Sequence, residues 1–185
     1  MQTLIYSMSV SLDGFIAGPG GDIGWTAPDE EQMRFHVAQT REIGVELMGR
    51  RLYEVMLVWE DVETTMSGAL QLEFARIWKP IPKIVFSTTH EQVQGNARLA
   101  SDDVAGEVAR LREVPGEGVV SVGGAGLAAT LIKLDLIDEY RLFVIPVVLG
   151  GGTRYFPPLD CGISLELVET RTFGSRVTYL RYRRG

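Results

Sequence analysis

The sequence of 185 residues carries one cysteine, Cys161, and two histidines, His36 and His90. A lone cysteine closes no disulfide within the chain. Three N or S ligands in all fall short of the four that a structural zinc site usually takes, so no metal is expected. This cysteine usage fits a reducing compartment, and the cytoplasm is the expected location. No apolar run approaches the roughly 20 residues needed to span a bilayer. The first ten residues lack the basic stretch of a secretory leader and read directly as a strand. Positive charge is also scarce: 18 Lys and Arg against 24 Asp and Glu leave a formal net charge of −6. That balance opposes the basic surface with which proteins displace counterions from nucleic-acid phosphates. Internal repeats, low-complexity tracts and charged tails are missing as well. With 45% hydrophobic residues the chain can bury a sizeable core, and one domain over residues 1–185 is expected.

The apolar residues alternate between two periods. Residues 2–11, Q-T-L-I-Y-S-M-S-V-S, read as a strand running into a long loop from Leu12 to Pro28. Loops of that length inside compact domains are often functional. Residues 29–43 open with acids, as a helix start favours, and place Met33, Val37 and Ile43 at helical spacing. Val45–Met48 reads as a short buried strand, followed by Gly49-Arg50-Arg51 and a helix to about Val58. Residues 66–78 and 103–113 read as helices, Lys83–Ser87 and Val119–Val122 as strands, and Gly126–Leu134 as a further helix. Tyr140–Leu149 reads as a long strand. Leu165–Phe173 and Val177–Tyr182 alternate around Gly174-Ser175, a hairpin pattern. Strands alternating with helices, closed by an antiparallel hairpin, predict an α/β domain with a mostly parallel sheet. Ligands of such sheets gather beyond the carboxyl ends of the strands.

Three loops leave strand ends with unusual chemistry. In V-V-S-V-G-G-A-G-L-A-A-T-L-I, three glycines in four residues stand where a strand hands over to a helix. Glycine is entropically costly there, so either the turn is too tight for side chains or something must touch its backbone. Exposed N–H groups at a helix mouth would suit an anion such as a diphosphate. Gly49-Arg50-Arg51 offers planar donors for phosphate or a flat base, or else holds nearby carboxylates. Ser87-Thr88-Thr89 offers hydroxyls at another strand end, or simply caps a turn. Together they describe a groove with donors for several phosphates.

Five segments in order resemble the dihydrofolate-reductase-like superfamily, most closely the branch of the riboflavin-biosynthesis reductase domain, the C-terminal half of a bifunctional deaminase-reductase. They are S-V-S-L-D-G-F-I-A at 9–17, L-M-G-R-R-L-Y-E at 47–54, K-I-V-F-S-T-T at 83–89, V-S-V-G-G-A-G at 120–126 and L-I-D-E-Y-R-L-F-V-I-P-V-V-L-G-G-G-T-R-Y-F at 136–156. The zinc-deaminase signatures H-x-E and P-C-x-x-C are absent. The resemblance implies a three-layer fold and an NADPH-dependent oxidoreductase acting on a small-molecule substrate. It implies that Gly123, Gly124, Ala125, Gly126 and Leu127 line the cofactor diphosphate, often through a cis Gly-Gly peptide. Gly49, Arg50 and Arg51 would meet phosphates at the adenosine side, Ser87 and Thr88 the 2′-phosphate, and Ile16 and Ala17 the nicotinamide. Leu52 departs from the family's usual threonine.

For the substrate end the resemblance implies two acids: Asp13, in S-L-D-G, which otherwise caps its turn, and Glu30, a few residues after Trp25, which otherwise serves the helix dipole. The reaction implied is that of 5-amino-6-(5-phosphoribosylamino)uracil reductase. A pterin reductase of the dihydrofolate type and a non-catalytic NADPH-binding dimer are the alternatives. The branch commonly pairs, and Phe143, Ile145, Val147 and Phe156-Pro157-Pro158 supply apolar surface for a homodimer, unless the chain's own loops cover it.

Overall fold

The structure, a computed structural model, describes residues 2–113 and 116–185. In chain order its elements are β1 (Leu4–Ser11), β2 (Phe15–Ala17), α1 (Glu30–Thr40), β3 (Ile43–Gly49), α2 (Arg50–Met56), α3 (Val62–Thr65), α4 (Ala69–Trp78), β4 (Lys83–Phe86) and β5 (Ala97–Leu99), then α5 (Val104–Glu113), β6 (Val119–Gly123), α6 (Ala125–Lys133), β7 (Glu139–Ile145), β8 (Thr153–Arg154), β9 (Leu165–Thr172) and β10 (Thr178–Arg184). Eight strands form one sheet in the order β5-β4-β3-β6-β1-β7-β10-β9, and β2 pairs with β8 in a separate ribbon. Pairing is parallel from β5 through β7, while β10 runs antiparallel to both its neighbours.

Period-two alternation explains how the sheet buries both faces. On one face Leu4, Tyr6, Leu47, Val120 and Val122 pack against Val108 of α5 and Leu127, Ala128 and Leu131 of α6. On the other, Met48 and Val85 pack with Tyr53 of α2, with Trp78 at the end of α4 and with Ile81 beyond it. Burying side chains of this size stabilises by about 1.5–3 kcal/mol each. The hairpin end has its own cluster of Phe143, Phe173, Val177 and Tyr179, against which Phe35 of α1 packs. The result is three layers, with the carboxyl ends of β1, β3 and β6 side by side at one edge.

The differences from the sequence reading have local causes. The long strand ends at Ile145, because Pro146 brings no N–H to the ladder. The loop from Leu12 to Pro28 contains β2, whose partner β8 lies well over a hundred residues away, beyond the reach of any local signal. Ile43 opens β3 rather than closing α1, which stops at Thr40. The short α3 and the edge strand β5 carry too few residues for a period to show. Phe143, assigned above to a partner surface, is instead 1% exposed and enclosed by Phe35, Phe173 and Tyr179 of the same chain.

Candidate functional site

A cleft of about 510 Å³ opens at the carboxyl ends of β1, β3 and β6. Met8 and Ser9 come from β1, Gly49, Arg50, Arg51, Leu52 and Val55 from the β3–α2 junction, and Gly124, Ala125, Gly126 and Leu127 from the β6–α6 junction. Ile16, Ala17 and Thr153 of the β2–β8 ribbon line it as well. Because β3 and β6 are parallel neighbours, the two following helices begin beside each other. A Cβ placed on Gly124 would lie 3.6 Å from the backbone N of Gly49. Neither helix start carries a side-chain cap. Their first-turn N–H groups are therefore free to meet an anion, and the helix dipoles favour one. By contrast α1 is capped, Asp29 accepting from the N–H of Gln32 at 2.7 Å.

The glycine turn works without a cis peptide: none occurs among the described residues, and Gly124 reverses the chain with φ +97°. Gly126 serves differently. A Cβ there would meet nothing within 4 Å, so its missing side chain leaves open space in the cleft. A Cβ on Gly123 would overlap Leu52 Cδ2. The leucine that stands in place of the family's threonine thus packs over Gly123. These features fit a dinucleotide: backbone donors, a side-chain-free cradle and cations.

Arg51 is exposed and makes no ion pair among the described residues, whereas Arg50 Nη1 binds Glu54 at 3.1 Å. The same Glu54 oxygen meets His90 Nε2 at 3.1 Å. That contact draws the 87–90 turn to the arginine end of the cleft. Ser87 and Thr88 do not line the cleft themselves. Ser87 Oγ accepts from the N–H groups of Thr89 and His90, holding the turn.

Asp13 and Glu30 line neither this cleft nor the cavity described next. Asp13 accepts from Ser11 Oγ at 2.6 Å and from the N–H groups of Leu149 and Gly150. These donors hold its carboxyl at about 2, and they tie the β1–β2 turn to the loop before β8. Glu30 is exposed and paired with Arg34 one turn along α1. Its neighbour Glu31 binds Arg171 and the N–H of Gly174, pinning the hairpin to α1.

The second cavity, about 240 Å³, lies between the sheet and helices α1, α2 and α4. Ser7 and Ser9 of β1, Ser121 of β6, Glu46 and Met48 of β3, and Arg141 and Phe143 of β7 face His36, Gln39 and Thr40 of α1, with Leu52, Met56 and Phe74 at the side. Burial pushes the His36 imidazole down to about 4. It pushes the Glu46 carboxyl up to about 7, although Trp78 Nε1 donates to it at 2.7 Å. The two cavities share Met8, Ser9 and Leu52 as a common wall. The sequence reading missed this second cavity. Its one local signal was S-M-S-V-S, which puts serines at alternate positions of a strand that is otherwise apolar.

The RibD C-terminal domain family model matches residues 2–179. The Bacillus subtilis (strain 168) protein YyaP, itself uncharacterized, is 34% identical over 188 residues, covering 98% of this chain and 94% of its own. A Thermotoga maritima diaminohydroxyphosphoribosylaminopyrimidine deaminase/5-amino-6-(5-phosphoribosylamino)uracil reductase superposes with a TM-score of 0.65 at 17% identity, covering 100% of this chain and 57% of that one. Enterococcus faecalis dihydrofolate reductase, solved with NADP(H), superposes with a TM-score of 0.61 at 19% identity, covering 99% and 96%. Those structural likenesses establish the fold as dihydrofolate-reductase-like. With the glycine turn, the uncapped helix pair and the β2–β8 ribbon all falling within the matched residues, the chain belongs to the RibD C-terminal domain family.

Proposed function

We propose that the chain is an NADPH-dependent reductase of the riboflavin-pathway type, delivering a hydride to a C=N or C=O carbon of a small heterocyclic substrate. The observation that carries this reading is the shared wall of Met8, Ser9 and Leu52. A dinucleotide in the larger cleft would bring its nicotinamide, near Ile16 and Ala17, against a ring held in the smaller cavity. The family membership and the NADP(H)-bound dihydrofolate reductase support the same assignment.

NADPH, when bound, supplies the hydride. The chain's part is to receive the diphosphate on the N–H groups of α2 and α6, to hold the adenosine phosphates with Arg50 and Arg51, and to enclose the reacting carbon. The heteroatom that takes the electron pair needs one proton. Among the described residues Glu46 is the carboxyl group lining the inner cavity, and with its pKa raised by burial to about 7 it is partly protonated near neutral pH. Glu30 and Glu31 pair with Arg34 and Arg171 and line neither cavity, which favours the riboflavin-type reading over a pterin held by a carboxylate of α1.

Titration of NADPH and NADH into the wild type and into Arg50→Ala/Arg51→Ala tests the assignment. NADPH should bind at least about tenfold tighter than NADH to the wild type, and the double variant should lose most of that preference. Equal affinity for the two cofactors would defeat it.

A further inference from the structure

We infer that the cavity between the sheet and α1 takes an uncharged, planar, hydrogen-bonding ring compound that carries neither phosphate nor carboxylate. The inference rests on the reductase reading above: it keeps the hydride transfer and departs from the phosphoribosyl substrate that the riboflavin-pathway resemblance implies.

Size sets the first limit. At about 240 Å³ the cavity is smaller than the ~300 Å³ at which sites for drug-sized ligands begin. A fused ring pair fits within it, whereas a ring carrying a ribosyl phosphate would exceed it.

Charge sets the second. Among the described residues Arg141 is the one Lys or Arg lining the cavity, and its charge is already balanced. Its Nε binds Glu139 at 2.7 Å and its Nη1 binds Glu42 at 3.1 Å. Glu139 is shared with Arg181, which also approaches Glu169. Two guanidinium groups thus face three carboxylates, so the cluster holds no surplus positive charge for an incoming anion. Burial keeps the His36 imidazole neutral and favours the protonated form of Glu46, whose Oε2 is held by Trp78 with Lys83 close behind. The cofactor cleft differs, since Arg51 there stands exposed and without an ion pair.

The third argument is the donor set. Ser7, Ser9 and Ser121 line the cavity, and their hydroxyls make no hydrogen bond among the described residues. Strand pairing sets them on adjacent strands: Ser121 lies opposite Ile5, and Ser7 and Ser9 lie opposite Arg141 and Phe143. Hydroxyls both donate and accept, so they match the edge of a neutral ring bearing carbonyl and N–H groups. Met48, Met56, Phe74 and Phe143 offer the apolar faces that would hold its plane.

The test titrates the full chain, saturated with NADP⁺ at pH 7, with lumazine, with lumazine-6-carboxylate and with uridine 5′-monophosphate. Lumazine should bind at least about tenfold tighter than its carboxylate, because the anion loses water without gaining a free cation. The nucleotide should not compete with lumazine. Ser121→Ala should weaken lumazine by about fivefold, with NADP⁺ affinity unchanged. Glu42→Gln frees one side of Arg141 from outside the cavity, and should narrow or reverse the preference. Equal or tighter binding of the carboxylate or the nucleotide overturns the inference, as does a chain that binds NADP⁺ but not lumazine. Failure to bind NADP⁺ at all overturns the reductase reading beneath it.

Discussion

Gly124 and Gly126 stand two residues apart and answer differently to the same substitution. At φ +97° any side chain on Gly124 is strained by about 1–3 kcal/mol, so a variant there mixes loss of fold with loss of binding. Gly126 lies in the first turn of α6, and its Cβ would enter open space. Gly126→Val should leave the melting temperature within a few degrees of wild type, yet weaken NADPH by more than about tenfold. Normal NADPH titration by that variant would reduce the glycine turn to a structural device. Glu46 makes a second prediction. Its folded pKa of about 7 lies above its ordinary 4.5, so between those values the folded state keeps a proton the unfolded chain has released. Stability therefore falls as pH rises through that window, by about 3 kcal/mol. His36 acts oppositely, being lowered from 6.5 to about 4. The unfolded chain takes up that proton first as pH drops, so stability falls from pH 6.5 towards 4. In the wild type the two slopes oppose each other between about 4.5 and 6.5. Urea unfolding of Glu46→Gln at pH 5, 6 and 7.5 should show stability rising with pH, gaining about 2 kcal/mol on the wild type across the series. A pH dependence parallel to the wild type would contradict the buried, protonated carboxyl.

Helix α4 shows how an element depends on a residue outside it. It ends at Trp78 in W-K-P-I-P-K, where two prolines prevent the chain from continuing the helix. The carbonyls left over are collected by Lys83, the first residue of β4, whose Nζ donates to Trp78, Lys79 and Ile81 at 2.9–3.1 Å. The ammonium also lies 3.9 Å from the Trp78 ring centroid, so a buried cation serves as the helix's terminal cap. Lys83→Met keeps the length and the apolar stem but leaves those carbonyls without their donor. Chemical denaturation should register a loss of about 3 kcal/mol. A loss under about 0.5 kcal/mol, the range of ordinary surface changes, would show that the cap contributes little. In the sequence this lysine reads simply as the opening of an apolar strand. Its role depends on β4 returning beneath the helix, which no local pattern announces.

At the scale of the molecule, the apolar surface left for a partner lies elsewhere than the strand pattern suggests. Phe143 is enclosed, while Val148 is 67% and Leu12 is 68% exposed. The backbone bond from Leu12 to Val147 sets these two side by side. The edge strand β9 adds Leu167 and Val168, both exposed. We keep pairing into a homodimer as a proposal, because an open edge carrying apolar side chains invites a second copy. Light scattering at micromolar concentration should give about twice the formula mass of 20.4 kDa. A mass that stays at the monomer value on concentration removes the pairing and leaves the reductase assignment untouched.

What the sequence determined by itself is what short-range physics controls. Alternation and helical spacing set most elements, and the glycine and arginine loops stood out because a turn's chemistry is contained in the turn. Parallel β–α order then carried those loops to one edge of the sheet, which is why Gly49, Arg50, Arg51 and Gly124–Leu127 meet in a single cleft. The inner cavity was decided by tertiary structure. Whether α1 turns its opening acids or His36, Gln39 and Thr40 toward the sheet depends on how Met33 and Val37 pack, and the acids went outward. Arg141 is paired with Glu139 two residues before it on β7 and with Glu42, 99 residues earlier, and the second of these partners exists only once distant strands and loops are brought together. The inner cavity is built from such long-range juxtapositions, so it could not be read along the chain as the loops of the outer cleft were.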